Sequence, residues 1–292
     1  MNDITIIDMM TDGANPGSPV RTLDDGLTVP GRWIAGNTIG EPVNSHLARM
    51  HTEEATEIFE DRLREWGLLG TDMPVLLDCE HRWPHESARL AMWFDAIANA
   101  AELWLRDWSW YLCPYPDRND DHRHGFDTHD GYLAWLRDQV HFACAPCLNA
   151  VLYMGPSIDP NDEIRIAKRV INDPHLTRAL TLGRQADKPV RVLVRPDTLN
   201  DGPGKGRELS RRSLIAYLIA LRERLENDGR PGHSIAVWNQ VRTQQNGNAP
   251  IWEDDVSVRR WADETINPAI EAVFGRREAG RAARGRQNRT SI

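Results

Sequence analysis

Two carboxylates, Asp78 and Glu80, close the apolar run Pro74-Val75-Leu76-Leu77, and Trp83-Pro84 follows them. Residues two apart on a strand point to the same side, so Asp78 and Glu80 project together while Leu77 and Cys79 face the other way. At about 3.3 Å rise per residue their Cα atoms lie roughly 7 Å apart. Such a pair suits general acid–base chemistry. The like charge of one carboxylate, and desolvation beside Trp83, raise the pKa of the other towards the range a proton donor needs. The spacing alone is not distinctive, because Glu253 and Asp255 repeat it in a polar stretch. The apolar approach is what marks the first pair.

Two other groups of residues could do different chemistry. Asp117, Asp120, Asp121, His122, His124, Asp127, His129 and Asp130 fall within the stretch 117–130, and His81 and His85 flank the carboxylates. Imidazoles and carboxylates are ligands for zinc or manganese, which would make a metal-dependent hydrolase; a solvated polar loop has the same composition. Cys144 and Cys147 form a CxxC, half of a zinc pattern with no clear second half. With Cys79 and Cys113 they are too few for a disulfide scaffold in a chain of 292 residues. The loop Gly202-Pro203-Gly204-Lys205-Gly206 fails the phosphate-loop spacing and reads as a turn.

The elements that must position these residues alternate. Strand-like runs are expected at Ile4–Ile7, Gly31–Gly36, Pro74–Glu80, Trp108–Cys113, Leu148–Met154, Val190–Val194 and Ser234–Trp238, and Thr11–Pro30 reads as a loop. Helical periodicity fills Ser45–Leu68, the stretch from about Glu86 to Ala101, Tyr132–Phe142, Asp162–Leu182, Ser210–Leu225 and Val256–Phe274. Buried parallel strands read as continuous apolar runs, as these do. The fold expected is α/β, a single-domain (β/α) TIM-like barrel over residues 1–274, with an open doubly wound sheet as the alternative. Residues 275–292, with six arginines, form a basic tail.

Composition bounds the function. The chain is 40% hydrophobic and 27% charged, with a formal charge of −8, which argues against a nucleic-acid partner. The N-terminus shows no signal peptide and no run approaches membrane-spanning length, so no membrane partner is expected and the default location is cytoplasmic, secretion staying open if a leader is missing. The 11 tryptophans outnumber the Phe and Tyr residues together, and flat apolar rings suit sugar faces as well as a core.

A barrel works at the C-terminal ends of its strands. The residues there are Asn37, Asp78, Glu80, Tyr115, Ser157, Asp159, Arg195, Asp197, Trp238 and Asn239. The set is acidic and aromatic and has no serine nucleophile elbow.

The order of short blocks resembles the hyaluronidases of glycoside hydrolase family 56. The blocks are Asp78-Cys79-Glu80 with Trp83-Pro84, then Trp108-Ser109-Trp110-Tyr111-Leu112-Cys113-Pro114-Tyr115, then Leu152-Tyr153-Met154-Gly155-Pro156-Ser157-Ile158, then Ile235-Ala236-Val237-Trp238. They span about two thirds of the chain. The resemblance implies a glycosidase acting on glycans with N-acetylhexosamine, a polysaccharide or oligosaccharide substrate, and no cofactor or metal. It makes Glu80 the general acid and Asp78 the carboxylate that orients the substrate acetamido group, whose oxygen serves as nucleophile. Trp238 would line the acetamido pocket and Tyr115 would bond near the reacting centre, with Trp83, Asn37, Asp159, Asn239 and Arg195 as further substrate contacts. Asp159 stands where the family has tyrosine and Ser109 where it has glycine, and the family's disulfide cysteines have no counterparts. A barrel that binds carbohydrate or a protein partner without turnover is therefore the third reading.

Overall fold

The structure, a computed structural model, describes residues 4–11, 28–35, 52–79, 87–111, 113–114, 126, 128–198, 207–240 and 260–275. Its strands are β1 (Thr5–Thr11), β2 (Thr28–Pro30), β3 (Arg32–Ala35), β4 (Val75–Asp78), β5 (Trp108–Trp110), β6 (Leu148–Met154), β7 (Val190–Thr198) and β8 (Ser234–Gln240). The helices between them are α1 (Thr52–Glu65), α2 (Ala88–Trp104), α3 (His129–Arg137), α4 (Val140–Cys144), α5 (Glu163–Ile171), α6 (Pro174–Ala186) and α7 (Arg211–Asp228). A last helical stretch carries π turns, Ala262–Ile266 and Glu271–Gly275, on either side of Asn267–Ile270.

All named strand pairs are parallel, in the orders β2-β1-β8-β7-β6 and β3-β4-β5. One segment belongs to both sheets. Thr28–Pro30 pairs with β1 and Arg32–Ala35 with β4, with Gly31 alone between them. The Gly31 N–H donates to Asp8 O at 2.9 Å and the Arg32 N–H to Pro74 O at 2.8 Å. A Cβ on Gly31 would stand 2.5 Å from Ile7 Cγ2, so the close crossing requires glycine. On the opposite side, among the described residues, β5 and β6 form no ladder. Asn149 N–H donates to Cys113 O there at 2.8 Å, and the His175 ring sits 2.8 Å from Pro114 O and 3.3 Å from Val151 O. The wall is a (β/α) barrel, continuous through the shared segment and only bridged at the β5–β6 seam.

Alternation along the strands makes two apolar layers. Ile7, Met9, Leu76, Leu193 and Ala236 fill the lumen, while Ile6, Ile34, Val75, Leu77 and Cys79 join the larger core under the helices. Leu76 is fully buried, worth about 1.5–3 kcal/mol for a side chain of its kind. The floor of the lumen is polar. The Arg191 guanidinium, 1% exposed, donates to Asp107 Oδ1 at 2.5 Å, to Val75 O and Ser109 Oγ at 3.2 Å each, and to Ser234 Oγ at 3.4 Å. Burying a cation is costly unless it is paired and hydrogen-bonded, and four hydrogen bonds, one of them to the Asp107 carboxylate, meet that need here.

Side-chain caps fix the helix starts. Ser87, Thr128, Asp162, Asp173 and Ser210 each accept a backbone N–H of the first turn. Two expected helices are split, the second of them by such a cap. The helix expected at Tyr132–Phe142 breaks at Asp138–Gln139 into α3 and α4, and that at Asp162–Leu182 breaks where Asp173 caps α6 ahead of Pro174. Two strand expectations also change. Thr28–Pro30, read as loop, is paired, and β7 runs past Val194 to Thr198. Among the described residues no helix is long and apolar enough to cross a membrane. Residues 276–292 of the basic tail and the glycine loop 202–206 lie outside the described residues.

Candidate functional site at the barrel mouth

Inward-facing residues near the ends of β3, β4, β6, β7 and β8, with Tyr111 just past β5, meet at the C-terminal end of the lumen. Asp78 ends β4 on the same face as Leu76, opposite Leu77, as the alternation predicts. Its Oδ2 accepts the Trp33 Nε1–H at 2.9 Å. Trp33 reaches that position because Gly31 sets the parity of β3. The Trp33 ring lies 6.2 Å from Trp238, tilted by 54°, and Trp238 stacks on Tyr153 at 6.0 Å with 16° between the planes. The Tyr153 and Tyr111 hydroxyls are 3.3 Å apart. Burial first, and then the neighbouring Tyr111, push the Tyr153 phenol well above its ordinary value, so it stays a neutral hydrogen-bonding group.

The fifth wall is a bulge. Leu152 pairs with Val194 and Met154 with Thr198, so Arg195, Pro196 and Asp197 stand against Tyr153 alone. Pro196 has no N–H to give a ladder, which suits a bulge. The return segment secures it from outside, through Leu209 N–H to Pro196 O at 3.0 Å and Thr198 N–H to Arg207 O at 2.9 Å. Arg195 and Asp197 both reach inward and form a two-pronged pair, Nε–Oδ1 at 2.9 Å and Nη2–Oδ2 at 2.7 Å. The guanidinium carbon sits 5.4 Å from the Trp238 ring centre and 5.7 Å from that of Tyr153. Burial alone would favour neutral arginine, but the Asp197 bonds outweigh it and hold Arg195 as a cation.

The result is an aromatic cradle with a carboxylate in one corner and an ion pair in another. Ring faces present apolar area to the C–H faces of a sugar, and a carboxylate fixed by an indole accepts a hydrogen bond from a ligand N–H or O–H.

Of the residues singled out in the sequence, Asp78, Arg195, Asp197 and Trp238 come together here. Asn239 pairs through its backbone with Met10 on β1. Asp159 is exposed and its Oδ1 accepts the Asn161 N–H at 2.9 Å, in the turn before α5. Glu80, Trp83, Tyr115 and Asn37 lie outside the described residues. Trp33, Tyr111 and Tyr153 were not singled out. They sit inside or at the edge of strand runs, each four residues before the strand-end residue named from the sequence (Asn37, Tyr115 and Ser157), and counting inward parity from each strand end would have found them.

The metal reading rests mostly on residues that are not described, including His81, His85, His122 and His124. Among the described residues no three His, Cys, Asp or Glu side chains are placed to hold an ion. His129 is buried against Tyr132, with ring centres 5.6 Å apart. Burial, then a hydrogen bond that the thiol donates to Glu102, raise Cys144 to about 11, and burial raises Cys147, so both favour the protonated form that ligates poorly.

No protein-family model matches the chain, and no curated protein matches it. Solved structures do. The chain aligns with bee venom hyaluronidase at 11% identity over 92% of its length and 100% of that chain, with a TM-score of 0.62. It aligns with bee venom hyaluronidase in complex with a hyaluronic acid tetramer at 13% identity over 92% and 87% of the two chains, with a TM-score of 0.55. At these identities the likeness is one of fold alone, and it supports the (β/α) barrel.

Proposed function

We propose that this protein is a glycoside hydrolase that cleaves glycans containing N-acetylhexosamine by general-acid, substrate-assisted catalysis. The observation that carries the reading is Asp78: a carboxylate at the end of β4, turned into a mouth walled by Trp33, Tyr153 and Trp238 and fixed by the Trp33 indole. The fold shared with hyaluronidase supports it.

In this mechanism Glu80, two residues on, gives its proton to the glycosidic oxygen as the bond to the anomeric carbon breaks. The acetamide oxygen of the substrate forms the new bond to that carbon, so no protein nucleophile is consumed. Asp78 accepts the acetamide N–H and aims the oxygen. The resulting Glu80 carboxylate then takes a proton from the water that opens the cyclic intermediate. Trp238 carries the sugar ring, with Trp83, Tyr115, Asn37, Asp159, Asn239 and Arg195 as further contacts.

The test is a reducing-end assay over hyaluronan, chondroitin, chitin oligosaccharides and peptidoglycan, with wild type beside Glu80→Gln. Activity on an N-acetylated polymer that is lost in this near-isosteric variant is the expected result. Retention of most activity by Glu80→Gln would remove the mechanism.

A further inference from the structure

We infer that Asp197 is a positioning residue: it holds the Arg195 guanidinium so that the edge left open hydrogen-bonds adjacent hydroxyls of a sugar seated against Trp238 and Tyr153. The inference rests on the reading of the mouth as a glycan site and adds how one of its contacts is aimed. Asp197 is 0% exposed and gives both carboxylate oxygens to Arg195, at 2.9 Å from Nε and 2.7 Å from Nη2; among the described residues no other side chain bonds it. Stability is a weak reason for such a pair. Taking both charges out of water offsets most of what their attraction returns, and two apolar side chains of similar volume would fill the space with no loss. Orientation is the stronger reason. A guanidinium is planar, so two bonds along one edge fix the whole group, and it cannot turn without breaking both. Pro196, between the two, has a fixed φ and no N–H to compete for the carboxylate.

The next edge of the same guanidinium is not used by the wall. Arg195 Nη1 has no hydrogen-bond partner among the described residues, and the side chain keeps 20% of its surface exposed. Arg191, four residues earlier on the same face, shows what an arginine serving only the wall does: its Nη1 donates to both Val75 O and Ser109 Oγ. The Arg195 guanidinium carbon instead lies 5.4 Å from the Trp238 ring centre and 5.7 Å from that of Tyr153. A saccharide stacks through its C–H faces and carries its hydroxyls around the rim of its ring, so donors fixed beside the stacking rings meet those hydroxyls. The long side chain is ordered before the ligand arrives, and binding is relieved of the cost of freezing it.

Calorimetric titration of the full chain with N-acetyl-chitotetraose and with hyaluronan tetrasaccharide identifies the one the wild type binds, and variants are compared on it, with turnover and urea unfolding in parallel. Asp197→Asn is expected to weaken binding about three- to tenfold, the effect of reordering one long side chain, and to raise KM more than it lowers kcat. Arg195→Lys is expected to bind no better than Arg195→Met, because a point charge does not present a planar edge; lysine binding as well as arginine would count against the inference. The double change Arg195→Met with Asp197→Leu separates aiming from packing. It is expected to unfold at no lower urea concentration than the wild type and to bind about tenfold more weakly. A double variant that binds like the wild type overturns the inference, and so does one whose unfolding midpoint falls sharply, since the pair would then be structural. If Asp197→Asn unfolds the chain, the double variant decides. A wild type that binds neither saccharide overturns this inference together with the glycan reading of the mouth, whereas one that binds without cleaving removes the hydrolase reading alone.

Discussion

Arg191 and Arg195 stand on the same inward face of β7, four residues apart, and they do opposite things. Arg191 is 1% exposed and spends its donors on the wall: a carbonyl of β4, serines that belong to β5 and β8, and Asp107. Arg195 spends two donors on its own strand and shows the rest of its surface to the aromatic mouth. The first cation ties three strands into a floor, and the second shapes a rim. One strand therefore supplies both the stability of the lumen and the character of the site, and the two ends separate cleanly in their contacts. Floor substitutions should move the unfolding midpoint, and rim substitutions should move saccharide binding.

The harshest way to break that separation is Arg191→Met. It leaves Val75 O and the two serine hydroxyls without their donor, and urea unfolding should show a loss of about 3 kcal/mol or more. Gly31→Ala comes next. The added methyl meets Ile7 Cγ2 at 2.5 Å, a short branched group that cannot swing aside, and the expected cost is about 1–3 kcal/mol by the same assay. At the rim, Trp33→Phe removes the donor to Asp78 and should change stability by about 1 kcal/mol, while saccharide affinity and kcat/KM fall several-fold. If instead Trp33→Phe unfolds the protein and leaves binding intact, floor and rim are not separable.

The mildest test uses pH. Near the floor, Val190 N–H donates to His233 Nδ1 at 3.0 Å and the other ring nitrogen faces Asp228 at 3.0 Å, so the native ring is neutral with its proton on Nε2. Burial lowers the His233 pKa from its ordinary 6.5, against the pull of Asp228. A lowered histidine means the unfolded chain binds the extra proton more readily, so stability falls as pH drops below about 6.5. His233→Gln should flatten that decline between pH 7 and 5 in thermal unfolding. An unchanged slope would place the acid sensitivity elsewhere.

Much of the barrel was legible in the sequence because buried parallel strands announce themselves as apolar runs, and Asp78 could be assigned its side from the period of two. The shared segment was not legible. Thr28–Pro30 is three residues ending in proline, and only its non-local partner β1 makes it a strand. The β7 bulge was hidden because Arg195-Pro196-Asp197 looks like a turn until Met154 and the return segment at 207–209 hold it extended. Nor did Arg191 stand out as a floor, since an arginine inside an apolar run has no visible partner until Asp107, Ser109 and Ser234 arrive from three other elements. For the site, the eye went to residues beyond each strand. Trp33 and Tyr153 lie within the strands, where apolar rings read as core.

Gly31 makes the joint between the sheets a question of parity. The strands on either side of it point their side chains in and out by turns, and the single glycine keeps the count so that Trp33 falls inward and Ile34 outward. A substitution there costs packing, but the insertion or deletion of one residue would invert every position after it. Ile34 would then face Asp78 and Trp33 would face the helices. The chemistry of the mouth is in this sense indexed by a counter one residue wide, set at a point that touches no ligand.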